Sequence, residues 1–284
     1  MNYITTKPQH YACGFLFLSN FLKMEKYNLG LVLSGGGTKG LAHAGVLKFF
    51  AEQNISADVL ACCSAGSIVG ALHGVGKSGE EILDFFKSVY FFNWRHFAFN
   101  KPGLVSSKIF STYLYPIFKD MTIGELDINL KIIATELVSG EQKIFEGKDK
   151  IVDAVIASCS IPGITVPYIV GNEMFSDGGV LNNFPADIIH RDCKKLIGVY
   201  VSPPQDVEIG DLKTIKSITT RAYELMSHRT EIHKFSYCDW IITSKKLASY
   251  GTFERNAERL DEIFEIGYQA AKSSYDETIF KTDI

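Results

Sequence analysis

Residues 35–40 read GGGTKG, set between an apolar strand-like run at 29–33 (LGLVL) and a helix-like run at 41–52 (LAHAGVLKFFAE). Four glycines in six positions leave the backbone bare, so its N–H groups can approach a bound anion closely. A helix opening behind such a loop adds its dipole to the attraction. The chemistry turns on which anion is held: a resident phosphate makes a nucleotide protein, a transient oxyanion an acyl-transfer enzyme. A Walker-type phosphate loop fails on spacing, because Gly76-Lys77-Ser78 would need glycine at position 71, where Ala71 stands. Gly35, Gly37 and Gly40 do fit the dinucleotide pattern G-x-G-x-x-G. Its ribose-binding acid should close the second strand, yet Asp58 stands at the near end of that strand and Cys63-Ser64 at the far end.

Outward from the loop, strands and helices alternate, which predicts an α/β fold with a largely parallel, helix-covered sheet. Strands are expected at 28–34, 57–63, 130–136, 143–145, 195–201 and 239–243, with a hairpin over 166–176 turning on Gly171-Asn172. Helices are expected from 41 to about 53, from 65 to about 75, and over 79–89, 149–158, 211–237 and 253–275. No repeat, low-complexity tract or linker interrupts the pattern. It reads as one domain over 24–284 behind an extension of residues 1–23.

The second strand runs into Ser64-Ala65-Gly66. A serine between a buried strand and a helix, with glycine two residues later, resembles a nucleophile elbow, whose tight turn lifts the hydroxyl clear of the sheet. The plainer reading makes Ser64 an N-cap for the following helix; the glycine loop in the preceding strand–turn–helix unit favours the elbow. A serine nucleophile needs a base. None of the seven histidines lies in an obvious strand-end loop: His43 and His73 fall on the helices after the two turns, and His190, His228 and His233 in helix-like stretches. Asp177 follows a strand and precedes Gly178-Gly179, where a turn can aim its carboxylate; a plain turn carboxylate is the competing reading.

Taken in order, GGGTKG, Ser64-Ala65-Gly66 and Asp177-Gly178-Gly179 resemble the patatin-like phospholipase family. The resemblance covers about residues 28–272 and takes in ASCSIPG at 157–163 and IFEIGYQAA at 263–271. It implies a three-layer α/β/α patatin-like fold, a mainly parallel central sheet with helices on both faces. It also implies a Ser–Asp dyad without histidine, acting on acyl esters of phospholipids and related lipids with no metal or cofactor. Position by position, Ser64 becomes the nucleophile and Asp177 the general base, while Gly35, Gly36, Gly37 and Lys39 frame the oxyanion hole. Two residues depart from the family pattern. Cys62 stands where glycine lets strand and helix pack under the elbow, and Lys39 replaces the usual arginine, keeping charge but losing the bidentate fork. A small-ester or thioester hydrolase on the same dyad is the enzymatic alternative, and a lipid-binding protein with an elbow impaired at Cys62 the non-enzymatic one. Cys63 is a rival nucleophile whose side chain should point elsewhere.

Composition sets the outer bounds. The chain has 284 residues, 46% hydrophobic and 21% charged, with net charge −3, so no basic field argues for a nucleic-acid partner. Six cysteines, two of them adjacent at Cys62-Cys63, lack metal-ligand spacing and read as reduced thiols of a cytoplasmic protein. Residues 11–22 (YACGFLFLSNFL) are apolar but too short to span a bilayer as a helix. A signal or anchoring role there competes with a start at Met24, from which Glu25 leads directly into the first strand. Residues 90–99 (YFFNWRHFAF) hold six aromatics. They read either as a lipid-facing flap, in keeping with peripheral membrane contact, or as core beneath a cap. Lys245-Lys246 suits anionic headgroups or a wet loop equally.

Overall fold

Strand β1 (Tyr27–Leu33) lies inside an eight-stranded sheet, parallel to its neighbours β2 (Val59–Cys63) and β7 (Cys193–Tyr200). The computed structural model describes residues 26–89 and 109–280. The extension 1–23, the Met24 start and the aromatic run 90–99 lie outside the described residues. The remaining strands are β3 (Asn129–Glu136), β4 (Gln142–Phe145), β5 (Tyr168–Val170), β6 (Glu173–Asp177) and β8 (Trp240–Thr243). The hydrogen-bonded path runs β5–β6–β3–β2–β1–β7–β8, with β4 also on β3. Pairing is parallel from β3 through β8 and antiparallel for β4, β5 and β6.

Successive side chains of a strand face opposite ways, and β1 serves two cores accordingly. Leu29, Leu31 and Leu33 enter the larger core, and Val32 the smaller. The larger core is covered by α1 (Leu41–Glu52), α2 (Ala65–Gly74), α3 (Gly79–Ser88), α4 (Ile109–Phe118), α5 (Ile151–Ser158) and α8 (Ala257–Ser274). The smaller is closed by α6 (Ala186–Ile189) and by Phe235, in the 3-10 turn Ile232–Tyr237 that follows α7 (Ile215–Glu231). Helices therefore lie on both faces of a mainly parallel sheet, as expected, though unequally.

Three expectations are corrected. The helix expected over 211–237 begins only at Ile215, where Thr214 and Ser217 form a capping box, and tightens to 3-10 at Ile232. The helix expected from 253 begins at Ala257, because the Asn256 side chain accepts from the Glu258 and Arg259 amides. Helix α4 was not anticipated; it carries Pro116 within its ten residues. Among the described residues no helix is long and apolar enough to cross a membrane.

One feature of the sheet builds the site. Ile132 and Ile133 pair with β2 on one side and β4 on the other, while Ala134 and Thr135 pair with β4 and β6. Strands β2 and β6 therefore meet end to end along the same edge of β3. Cys63 pairs with Ile133 and Asp177 with Ala134, so the residue after Cys63 emerges beside Asp177.

Candidate active site

Ser64 leaves β2 with φ 49° and ψ −123°, a left-handed conformation that side chains rarely adopt. Its surroundings hold it there. The Ser64 N–H donates to Ser158 Oγ at 2.8 Å, and that hydroxyl donates to the Ile133 carbonyl at 2.6 Å. The Ser64 carbonyl accepts from the Ser67 N–H at 2.8 Å and from Ser67 Oγ at 2.6 Å. Gly66 permits the tight fit, since a Cβ there would stand 2.3 Å from the Leu33 carbonyl oxygen. Although Ser64 occupies the N-cap position of α2, its side chain makes no capping bond. It donates instead to Asp177 Oδ2 at 2.6 Å.

Asp177 is fixed at every polar atom. Its N–H donates to the Ser160 carbonyl at 2.8 Å, and its carbonyl accepts from Thr135 Oγ1 at 3.1 Å. Oδ1 accepts from the Gly179 N–H at 2.7 Å and from the Cys63 thiol at 3.8 Å. Ser64 and Asp177 are both buried. Burial pushes the Asp177 carboxyl up to about 6, against the pull of the hydrogen bonds from Ser64, Gly179 and Cys63. The carboxylate is thereby a stronger base than a solvated one. Among the described residues no histidine bonds either member of the pair.

The glycine loop divides its amides. Gly35 N–H donates to the Asn183 carbonyl at 3.0 Å, Thr38 N–H to the Thr252 carbonyl at 2.9 Å and Lys39 N–H to the Gly36 carbonyl at 3.3 Å. Among the described residues this leaves the Gly36 and Gly37 amides without a hydrogen bond. Gly37 has φ 59°, and a Cβ on it would stand 2.2 Å from the Thr252 carbonyl oxygen, so only glycine fits. Lys39 is buried; desolvation pushes its ammonium pKa down, opposed by Glu224. His43 serves the loop and not the dyad. Its Nε2 lies 2.8 Å from the Ser34 carbonyl oxygen, and burial pushes its pKa down to about 4, so the neutral ring donates from Nε2. His43 Nδ1, also buried, has no partner among the described residues.

Ser158, Thr135 and Asn183 were not picked out from the sequence. Ser158 lies within ASCSIPG and Asn183 directly behind Asp177-Gly178-Gly179, so their place beside the motifs was the available signal. Cys62 is fully buried, and its sulfur would stand 2.6 Å from a Cβ on Gly70 of α2. A glycine on the helix thus supplies the room that the family pattern takes from a glycine on the strand. Cys63 points at Asp177 and Asn183, and burial pushes its thiol far above the ordinary range. The described cysteines are all free. An apolar cavity of about 140 Å³ opens from Ser64, walled by Gly37, Ile68, Phe86, Phe110 and Leu260.

Comparison with known proteins gives the family and the fold. The family model described as Patatin-like phospholipase matches residues 31–190, which include the glycine loop, Ser64 and Asp177. Neuropathy target esterase sws of Drosophila melanogaster is 24% identical over 301 aligned residues, covering 91% of this chain and 20% of its own length. Lysophospholipase NTE1 of Eremothecium gossypii is 27% identical over 230, covering 74% of this chain and 15% of its own length. The chain thus spans a fifth or less of the length of these two relatives. Among solved structures, VipD from Legionella pneumophila shares the fold, with a TM-score of 0.54 at 14% identity over 88% of this chain and 67% of that one.

Proposed function

The chain belongs to the patatin-like phospholipase family, and from that premise we propose that it is a serine lipid acyl hydrolase working through a Ser64–Asp177 dyad. One observation carries the reading: the 2.6 Å hydrogen bond from Ser64 Oγ to the buried Asp177 carboxylate, made by a serine held at φ 49° between strand and helix. A capping serine would spend its hydroxyl on the helix, whereas a buried structural carboxylate such as Glu231 is met by a cation, Lys234 Nζ at 2.7 Å.

Asp177 Oδ2 takes the Ser64 proton as Oγ bonds to the ester carbonyl carbon. The carbonyl oxygen becomes an oxyanion, held by the Gly36 and Gly37 amides at the start of the loop and by the N-terminus of α2. As the carbon–oxygen bond to the leaving alcohol breaks, the Asp177 carboxylic acid returns its proton to that oxygen. Water then gives a proton to Asp177 while its oxygen attacks the acyl carbon; the acyl carbon–Oγ bond breaks, Asp177 passes that proton to Ser64 Oγ, and the fatty acid leaves. The apolar cavity beside Ser64 suits a hydrocarbon acyl chain, which favours a lipid over a small polar ester. Oxyanion framing divides within the loop: Gly36 and Gly37 are the donors, while Gly35 and Lys39 fix the loop through their own amide bonds. Work at a membrane surface is part of this proposal.

Fluorophosphonate labelling together with lipid product analysis tests it. The expected result is an adduct on Ser64 and fatty-acid release, both lost in Ser64→Ala. Hydrolysis retained by Ser64→Ala, or folded wild type that neither labels nor releases fatty acid, would overturn the proposal.

A further inference from the structure

Helix α7 passes behind the base and directs Tyr223 toward the bare face of Gly179. A Cβ on Gly179 would stand 2.8 Å from Tyr223 Oη, 2.9 Å from Asn183 Oδ1 and 3.0 Å from Asp177 Oδ1. Three oxygens, two from the turn 177–183 and one from α7, thus converge on one point. The phenol and the carboxylate are at most about 6 Å apart, a span that one bridging water covers. Among the described residues Tyr223 Oη makes no hydrogen bond. Asp177 Oδ1 accepts one strong bond, from Gly179, and one weak one, from Cys63, which leaves it capacity for a further donor.

The ionisable groups facing Asp177 are few. Cys63 comes from β2, Cys159 from the end of α5, and Tyr223 from α7. Glu231, farther along α7, faces Tyr223 and Cys63, with its own charge met by Lys234 Nζ at 2.7 Å. Glu231 also accepts from the Asn183 and Phe184 amides at 3.2 and 3.1 Å, which ties α7 to the turn behind Asp177. Burial, with Asp177, Cys63 and Glu231 nearby, pushes the Tyr223 phenol well above its ordinary range, so it stays a donor throughout the working pH.

We propose that Tyr223 is a positioning residue for the general base: through one water shared with Asn183 Oδ1, its phenol donates to Asp177 Oδ1, favouring the carboxylate form and keeping Oδ2 turned to Ser64. This rests on the dyad reading above. Gly179 is part of the same device, since any side chain there would fill the corner where the three oxygens meet.

The test is the pH profile of kcat/KM between pH 5 and 9 on a p-nitrophenyl ester, for wild type, Tyr223→Phe and Asp177→Asn. Removing one donor from the carboxylate should move the acid limb of Tyr223→Phe upward by about one unit, a loss of about fivefold at pH 6 that vanishes by pH 8.5. Tyr223→Met, which keeps bulk without a hydroxyl, should show the same shift, as should the pH dependence of the fluorophosphonate labelling rate. An unmoved limb, or an equal loss at every pH, overturns the proposal. Full turnover by Asp177→Asn is a separate failure, since it removes the dyad itself.

Discussion

Asp177→Asn should make the protein more stable at pH 8 while abolishing hydrolysis. Burial raises the Asp177 carboxyl from its ordinary 3.8 to about 6. Between those values the folded state holds a proton that the unfolded chain has released, so stability falls as pH rises through this window. Two units at 1.36 kcal/mol each make the ionised carboxylate a burden of about 3 kcal/mol at pH 8. Asparagine carries no charge to desolvate, yet its Oδ1 can still accept from Gly179 and its Nδ2 can face Ser64 Oγ. Urea unfolding at pH 8 should show the variant ahead by up to about 3 kcal/mol, or about 6–10 °C in Tm. At pH 4.5 most of that gap should close. His43 titrates in an overlapping window with the opposite sign, its depressed pKa removing stability as pH falls below 6.5. It is common to both proteins and cancels in their difference. A variant no more stable than wild type at pH 8, or a gap that does not change with pH, would refute the argument that the base is kept potent by a destabilising burial.

Gly70→Ala should destabilise the protein, because the new Cβ would stand 2.6 Å from the Cys62 sulfur. In a Cys62→Gly background the same change should be neutral or favourable, alanine outranking glycine in a helix by about 1 kcal/mol. A double-mutant cycle by urea unfolding should therefore give a coupling of about 1–3 kcal/mol, and additivity would show that the two residues do not share the space. Gly37→Ala should lower kcat by about 100-fold and also lower the unfolding midpoint, since the new Cβ would meet the Thr252 carbonyl oxygen at 2.2 Å and shift the amide proposed to donate to the oxyanion. Undiminished turnover in Gly37→Ala would mean that this amide does not face the oxyanion.

The parts of the site that the sequence revealed are those where one residue must satisfy a local conformational demand. The end of β2 needs a small residue two places beyond Ser64, and the turn after β6 needs glycine at 178, where a Cβ would stand 2.3 Å from the Ile133 carbonyl oxygen. Such demands leave their mark within a few positions, so Ser64 and Asp177 could be found by reading along the chain. The helix boundaries were less legible, because the helix-like character of 211–237 does not disclose that Thr214 and Ser217 close a capping box or that the backbone tightens at Ile232. Which glycine amide is free was not legible at all. Gly35 and Gly36 look alike in sequence, and only the Asn183 carbonyl, brought in from the turn behind the base, takes one and leaves the other.

Cys62 shows the same limit from the other direction. Read alone it gives no sign of where its sulfur fits, because the glycine that faces it, Gly70, stands on the opposite element of the strand–helix pair. The raised pKa of the Asp177 carboxyl is likewise a property of the assembled sheet. The register that sets β2 and β6 end to end on β3 delivers Asp177 to Ser64, and the same register buries the carboxylate beneath the turn. Contact and desolvation thus share one geometric cause. A substitution that opened the turn to water would therefore lower the Asp177 pKa even where it left the 2.6 Å hydrogen bond intact.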